Sequence, residues 1–397
     1  MVLRKVLPKD VEKELTAIGV DLVVVDLFKR KSEVLLFKLF QVDSRGANIL
    51  KQEFLSAGGD VALNRDVASW KLKATDCLLV GTQKVYDRVL EKISNEKYFG
   101  LEQVQKELRV ALEENALPSY LVRGKMFDFK SSKYIMGILN VTPDSFSDGG
   151  SFLTAENALN QAEAMINDGA DIIDIGGEST RPHACEVSES LEKERVLPVL
   201  KAIRKSFPDI PISIDTYKSS VAKEALESGA DIINDISGLR FDNNMLVVAA
   251  EFDVPVVAMH IKGTPKNMQE NPDYVDLMKE LLEYFEERIS ALSANAVNKI
   301  IIDPGIGFGK RIQDNLKIIR NLNEFTIFKK PILIGISRKS FIGAITGEAV
   351  NNRLYGTLAA DTIAVINGAN ILRVHDVKPH KEMLNILSAI EHFEPSR

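Results

Sequence analysis

Apolar and polar positions change period in a repeating way along the second part of this chain. One phrase recurs three times: "DGADIIDIGG" from Asp168, "SGADIINDISG" from Ser228 and "NGANILRVHD" from Asn367. In each, a stretch of helical period stops at a glycine, the residue that most easily takes the left-handed cap conformation. A short polar joint follows, and then an Ile-rich run of strand length. Apolar on successive positions, the run fits a parallel strand covered on both faces. Each run closes on polar residues: Asp174, Asn234 with Asp235, and His375 with Asp376.

Applied to the rest of the second part, the same pattern predicts eight strands. They lie near Tyr134–Asn140, Asp171–Ile175, Pro211–Asp215, Asp231–Asn234, Val254–Met259, Lys299–Asp303, Pro331–Ile336 and Asn370–Val374. Helical stretches alternate with them near Ala155–Asn167, Glu189–Ser206, Ser219–Glu227, Asn243–Glu251, Tyr274–Ala294, Gln313–Leu322, Arg353–Ile366 and Lys378–His392. The fold class is α/β, and eight βα units predict a (β/α)8 TIM barrel. A doubly wound open sheet is the alternative, but the regular units show no reversal point. A barrel requires its chemistry at the C-terminal ends of the strands. Asn140, Glu178 with Thr180 and Arg181, Asp215, Asn234, His260, Asp303, Ser337 with Lys339, and Arg373 with His375 all end or follow a strand. Any one of them has a bland reading, since an Asp closing a strand often caps the next helix.

The first part has a different pattern. "GVDLVVVDLF", "EVLLFKLF" and "TDCLLVGT" read as strands. "RGANILKQEFLSAGGD" reads as a helix stopped at Gly58-Gly59, while "KVYDRVLEKI" and "LEQVQKELRVALEENA" read as amphipathic helices. Together they predict a small α/β domain over residues 1–126, a connector at 127–133 and the barrel at 134–397. The first domain shows no phosphate loop or other cofactor motif. Trp70 and Cys77 read as packing.

Composition narrows the partners more than the chemistry. The chain has 397 residues, 45% hydrophobic and 27% charged, with a net charge of −6. Nothing in that balance suggests a nucleic-acid partner. Slightly basic in its first 130 residues and acidic afterwards, it has no single-sign block. Two cysteines in this length suit a reducing compartment. The start "MVLRKVLPKD" has no signal-peptide core, and the longest apolar runs fall short of a membrane span. A cytoplasmic protein without membrane contact is expected.

At the predicted barrel mouth, Lys339, Arg373, Arg181 and His375 offer cations and forked donors, which suit a phosphate or diphosphate. Asn140 and Asp148 offer hard oxygens suited to a Mg²⁺ shared with that diphosphate. Asp215, Asn234 and Asp303 offer acceptors and an amide for a flat heterocycle held by its edge. Substitution at a carbon bearing diphosphate follows from these residue types; the substrate's identity does not.

"GILNVTPDSFSDGG" resembles the first signature of the dihydropteroate synthases. "DIGGESTRP", "SIDT", "INDISG", "MHIKGTP", "DPGIGFGK", "GISRKSFIG" and "RVHDV" follow in that family's order, from Tyr134 almost to the C-terminus. The resemblance implies condensation of 6-hydroxymethyl-7,8-dihydropterin diphosphate with 4-aminobenzoate to dihydropteroate and pyrophosphate, with Mg²⁺, in a homodimer. It implies that Asp303 and Asn234 bind the pterin edge, with Asp215 and Lys339 at the ring nitrogens and oxygen. Arg373, His375 and Asn140 would take the diphosphate and the metal. Phe146 and Asp148 would close over the site on the first loop. Thr180, Arg181 and Pro182 would shape the aminobenzoate slot, with Ser337 near its carboxylate and Met259 and Phe308 lining the substrate. Asp148, Arg181, Asp215 and Lys339 would carry the catalysis. His260 is read as structural or pocket-lining.

The family often has Gly where this chain has His183, so details of the second loop stay open, and Cys185 beside it is a candidate exposed thiol. A methyltetrahydrofolate:corrinoid methyltransferase shares barrel and pterin site but needs no diphosphate anchor, which Lys339, Arg373 and His375 supply. A non-catalytic pterin-binding scaffold would have lost motif positions, and none is missing. No role follows for the first domain.

Overall fold

A computed structural model describes residues 3–69, 71–113, 117–142, 151–179 and 186–391. The chain forms two compact units, Met1–Asn115 and Ala116–Arg397. In the first unit, helices α1 (Val11–Ile18) and α2 (Leu22–Ser32) precede β1 (Val34–Asp43), α3 (Ser44–Ala57), β2 (Asp60–Leu63), β3 (Ala74–Thr82), α4 (Gln83–Lys92) and α5 (Leu101–Leu112). The strands form an antiparallel sheet ordered β1-β3-β2. Its inward positions Leu39, Val42, Cys77 and Leu79 pack with Leu50, Phe54, Tyr86, Val89, Leu101 and Leu108. Gly58 ends α3 at φ 93°, as its sequence position predicts. Cys77 is buried in this core, and burial lifts its thiol to about 11, so it packs rather than reacts.

"GVDLVVVDLF" does not form a strand. Its apolar residues enter α2, which ends on Lys29, Arg30 and Lys31. A cationic last turn favours a helix C-terminus, and a short β-branched run does not by itself separate strand from helix.

The second unit opens with a hairpin, β4 (Ser119–Val122) and β5 (Lys125–Asp128), where the sequence suggested the end of one domain and a connector. Then come β6 (Tyr134–Asn140), α6 (Ser151–Asn167), β7 (Ile172–Gly176), α7 (Glu189–Ser206), β8 (Ile212–Asp215), α8 (Ser219–Glu227), β9 (Ile232–Asp235), α9 (Asn244–Phe252), β10 (Val256–Met259) and α10 (Leu277–Ala294). β11 (Ile300–Asp303), α11 (Ile312–Arg320), β12 (Leu333–Ile334), α12 (Ser340–Thr346), α13 (Leu354–Ile366), β13 (Ile371–Val374) and α14 (Val377–Glu391) complete it. The eight parallel strands β6–β13 run in the order β11-β10-β9-β8-β7-β6-β13-β12, and a parallel bridge from Ile302 to Ile332 joins the two ends. This is the TIM barrel expected from the repeat.

Strand alternation explains why the strands read as continuous Ile runs. Ile173, Ile214, Ile233, Ile302 and Leu372 belong to the cluster under the helices. Their neighbours Ile172, Ile232, Val257, Ile301, Leu333 and Ile371 form a separate cluster inside the barrel. The hairpin supplies Tyr120, Val122 and Phe127 to that inner cluster, with Phe129 beside them. Tyr120 Oη donates to the Ile300 carbonyl at 3.0 Å, and Asn370 Nδ2 donates to the Phe129 carbonyl at 3.0 Å. The hairpin therefore plugs the lower end of the barrel, and the unit boundary falls before it, between 115 and 116, not after 126. Removing a fully buried phenyl group leaves a cavity. Phe127→Ala should cost about 3 kcal/mol of barrel stability, measurable by denaturant unfolding.

Candidate active site

Two residues above each inner apolar position, the same strand face changes character. Above Ile172 comes Asp174, above Ile232 Asn234, above Val257 Met259, above Ile301 Asp303 and above Ile371 Arg373. The period of two puts all five on the barrel interior, one layer above the plug. Ser213 and Asp215 occupy the matching face of β8, and Ser213 stands beside Asp174 in register.

Arg373 is the hub of this layer. Its Nε donates to Asp174 Oδ2 and its Nη2 to Asp215 Oδ2, each at 2.6 Å. Asp174 is fully buried and also accepts from Asn234 Nδ2 at 3.2 Å. Burial alone would weaken the Arg373 charge, but Asp174 and Asp215 outweigh it and hold the guanidinium protonated. Two of its five N–H donors are used here, and among the described residues the other three meet no acceptor. Burial raises Asp215 to about 7; Arg373 opposes this, while Asp174 adds to it. Burial also raises Asp303, opposed by the Gly305 N–H that donates to its Oδ1 at 2.7 Å and by Lys339.

Lys339 ends the turn after β12. Its Nζ donates to the Ile306 carbonyl at 2.8 Å and sits 4.2 Å from the centre of the Phe308 ring. Burial draws its amine down to about 8, with Asp303 opposing. Met259 packs with Ile236, Ile261 and Met268, and Phe308 lies against that cluster. Ser337 Oγ stands 3.0 Å from His375 Nδ1 and accepts the His375 backbone N–H at 3.2 Å. Burial lowers His375 to about 4, so it is neutral near pH 7. Arg338, at φ 58°, donates to both carboxylate oxygens of Asp376 and ties this turn to the end of β13.

Asn140 ends β6. A Cβ built on Gly176 would lie 3.6 Å from Asp215 Oδ2 and 3.8 Å from Asn140 Oδ1. Glycine thus keeps open a space that two oxygens border. Hard oxygens are the right donors for Mg²⁺, which usually keeps few protein ligands and takes the rest from phosphate and water. Among the described residues no cluster of three or more His, Cys, Asp or Glu could hold a metal alone.

Asp215, Asn234, Asp303, Lys339, Arg373, Ser337, His375, Met259 and Phe308 thus gather around the upper barrel or its turns. Phe146, Asp148, Thr180, Arg181 and Pro182 lie outside the described residues, as do Trp70, His183 and Cys185. Glu178 is held by the Tyr217 hydroxyl at 3.1 Å and by Lys218, which also binds the buried Glu192. His260 is buried, packs edge-on against Tyr284 and bonds Lys310. Sequence reading noted Asp174 as a strand end without giving it a site role. The available signal was a charged residue at an inward position of an Ile-rich strand.

The sequence matches the profile of the pterin binding enzyme family over residues 136–375. It is 45% identical over 276 residues to the dihydropteroate synthase of Synechocystis sp., covering 69% of this chain and 95% of that one. It is 34% identical over 393 residues to the bifunctional dihydropteroate synthase/dihydropteroate reductase of Helicobacter pylori, covering 98% of this chain and 99% of that one. The solved Yersinia pestis dihydropteroate synthase, in complex with a sulfonamide drug, superposes with TM-score 0.66 at 43% identity, over 70% of this chain and 100% of that one.

Proposed function

The chain belongs to the pterin-binding enzyme family and acts as a dihydropteroate synthase, and from that premise we propose how its barrel mouth joins a dihydropterin diphosphate to 4-aminobenzoate in folate synthesis. The observation that carries the site assignment is Arg373 bridging Asp174 and Asp215 beside Asn234, Asp303 and Lys339.

Asp303 and Asn234 hold the pterin edge, with Asp215 and Lys339 at the remaining ring atoms. Arg373, with three donors to spare, and neutral His375 take the diphosphate. Asn140 would contribute one oxygen to Mg²⁺, which would neutralise charge on the leaving group. Bond cleavage at the exocyclic methylene leaves a cation delocalised into the pterin. Asp215 favours that cation, while Arg373 and Lys339 favour the departing anion. The aromatic amine then attacks, with no strong general base required. Ser337 and Phe308 receive the aminobenzoate, and Asp148 and Arg181 complete the site from the loops. Mixing the protein with pterin diphosphate, 4-aminobenzoate and Mg²⁺ should release pyrophosphate. Bound pterin without release would overturn the reading.

The site's electrostatics set a pH window. Asp215 ionises as pH climbs through about 7, and Lys339 loses its proton as pH climbs through about 8. kcat/KM for the pterin substrate reports the free enzyme. It should rise through the first value and fall through the second. A flat profile from pH 6 to 9 would count against the pair.

Tyr355, Ile363 and Ile366 on α13 and Ile386 and Ile390 on α14 expose apolar side chains on neighbouring helices. A surface of this kind fits a homodimer interface. Ile390→Glu should shift the mass measured by light scattering toward a monomer. A cytoplasmic setting accords with the free, buried Cys77, and among the described residues no helix is long and apolar enough to cross a membrane.

A second activity is favoured by one observation. The match to the bifunctional relative runs through the N-terminal unit, which lies outside the family profile. We infer that this unit serves reduction of the barrel's product. A reduced nicotinamide or flavin would deliver a hydride to the carbon of a pterin C=N bond, and a proton from water would complete the reduction at nitrogen. The full chain should oxidise such a reductant only when dihydropteroate is present.

A further inference from the structure

The motifs "MHIKGTP" and "DPGIGFGK" meet at one buried amine that the reaction does not use. Lys310 is 3% exposed. Its Nζ donates to the Phe308 carbonyl at 3.1 Å and the His260 carbonyl at 3.3 Å, and lies 3.0 Å from His260 Nδ1. Burial draws the Lys310 amine down to about 7, with Asp303 opposing; in its protonated form the three N–H bonds match these three acceptors. The ring nitrogen can accept because burial, then the neighbouring Lys310 charge, keeps His260 neutral.

The turn that Lys310 clamps is unusual backbone. Gly305, Gly307 and Gly309 have φ of 70°, 81° and 65°. A Cβ on Gly305 would lie 2.0 Å from the His260 carbonyl oxygen, so the turn presses directly on the end of β10. Four successive carbonyls each meet a side-chain donor. Ile306 meets Lys339, Gly307 meets Gln269 at 2.7 Å, Phe308 meets Lys310, and Gly309 meets the Tyr274 hydroxyl at 2.7 Å. Among these donors, Lys310 alone also bonds the carbonyl of the residue after β10, the one against which Gly305 lies.

We propose that Lys310 is a positioning residue for the condensation, fixing the turn after β11 so that the Phe308 ring lies beneath the Lys339 ammonium and receives the aminobenzoate ring. The inference rests on the synthase reading of the site. The Lys310 amine holds its acceptors in one arrangement, and its loss takes the side-chain donor from the His260 and Phe308 carbonyls. The turn then keeps its packing against Met259 and Ile261 but loses the side-chain hydrogen bond that joins it to the end of β10.

The test is a double-mutant cycle in the full-length protein, using Lys310→Met, Phe308→Ala and the double variant. Lys310→Met should raise the aminobenzoate KM about tenfold and leave the KM for the pterin diphosphate within about twofold. In the Phe308→Ala background, Lys310→Met should add less than about threefold. Unchanged KM values, equal rises for both substrates, or effects that multiply in the double variant would overturn the proposal. Should Lys310→Met not fold, Lys310→Gln, which retains an amide donor, is read by the same criteria. A wild-type protein releasing no pyrophosphate would overturn the synthase reading and this inference together. An active wild type with an indifferent Lys310→Met variant would overturn this inference alone.

Discussion

Arg373→Ala is expected to lower kcat/KM for the pterin diphosphate by about three orders of magnitude, while affinity for the hydroxymethyl pterin lacking diphosphate falls far less. Hydrogen bonds to charged groups contribute about 1.5–3 kcal/mol each. The three uncommitted N–H donors of Arg373 allow two such bonds to the leaving group, so about 4 kcal/mol is at stake. The substitution also strands Asp174 and Asp215 without their shared cation. Breaking a buried pair costs about 3–5 kcal/mol of stability when one partner is removed, so the variant should melt earlier. Arg373→Lys separates the two effects. It keeps a positive charge between the carboxylates but cannot form both 2.6 Å contacts and still reach a phosphate with a fork. Stability should largely return in the lysine variant, and diphosphate discrimination should not. Titration calorimetry with the two pterins reads this directly. Equal losses for both would mean that Arg373 is not the anion anchor.

The barrel was legible because its strands are covered on both faces and its helices stop at glycine. Ile-rich runs beginning after Gly169, Gly229 and Gly368 became β7, β9 and β13 almost residue for residue. Strand ends were legible for the same reason: a barrel has only one place for Asp303 or Arg373 to end up. The hairpin Ser119–Asp128 was not. Its residues alternate between exposed and buried, and their destination is the inside of a barrel whose strands come later in the chain. Nor was α2, where Val23 to Val25 favour a strand locally and the surrounding unit imposes a helix. Side-chain partners were the least legible. Asp174 and Lys310 do their work through Arg373 and the carbonyls of His260 and Phe308, pairings set by tertiary distance. Sequence spacing carries no trace of them.

The inner layer also explains why so many ionisable groups can share a space largely removed from water. Asp174 and Asp215 flank one guanidinium, and Asp303 faces Lys339, so each carboxylate has a cation or an N–H within reach. A set balanced in this way tolerates a change in the number of acceptors better than a change in charge sign. That makes Asp303→Asn a sharp probe of the pterin edge. The two side chains have the same shape, and asparagine keeps one oxygen for the Gly305 N–H that caps the turn. It replaces the other oxygen with an amide that donates, toward a heterocycle edge that also donates. Two donors then face each other without water, and a buried group left unpaired costs about 1–3 kcal/mol on each side of the contact. Pterin affinity should fall by about a thousandfold. The thermal midpoint should hold or rise, because burial already disfavours the Asp303 charge. An asparagine variant that binds pterin within tenfold of wild type would remove Asp303 from the pterin edge and leave it only the task of capping Gly305.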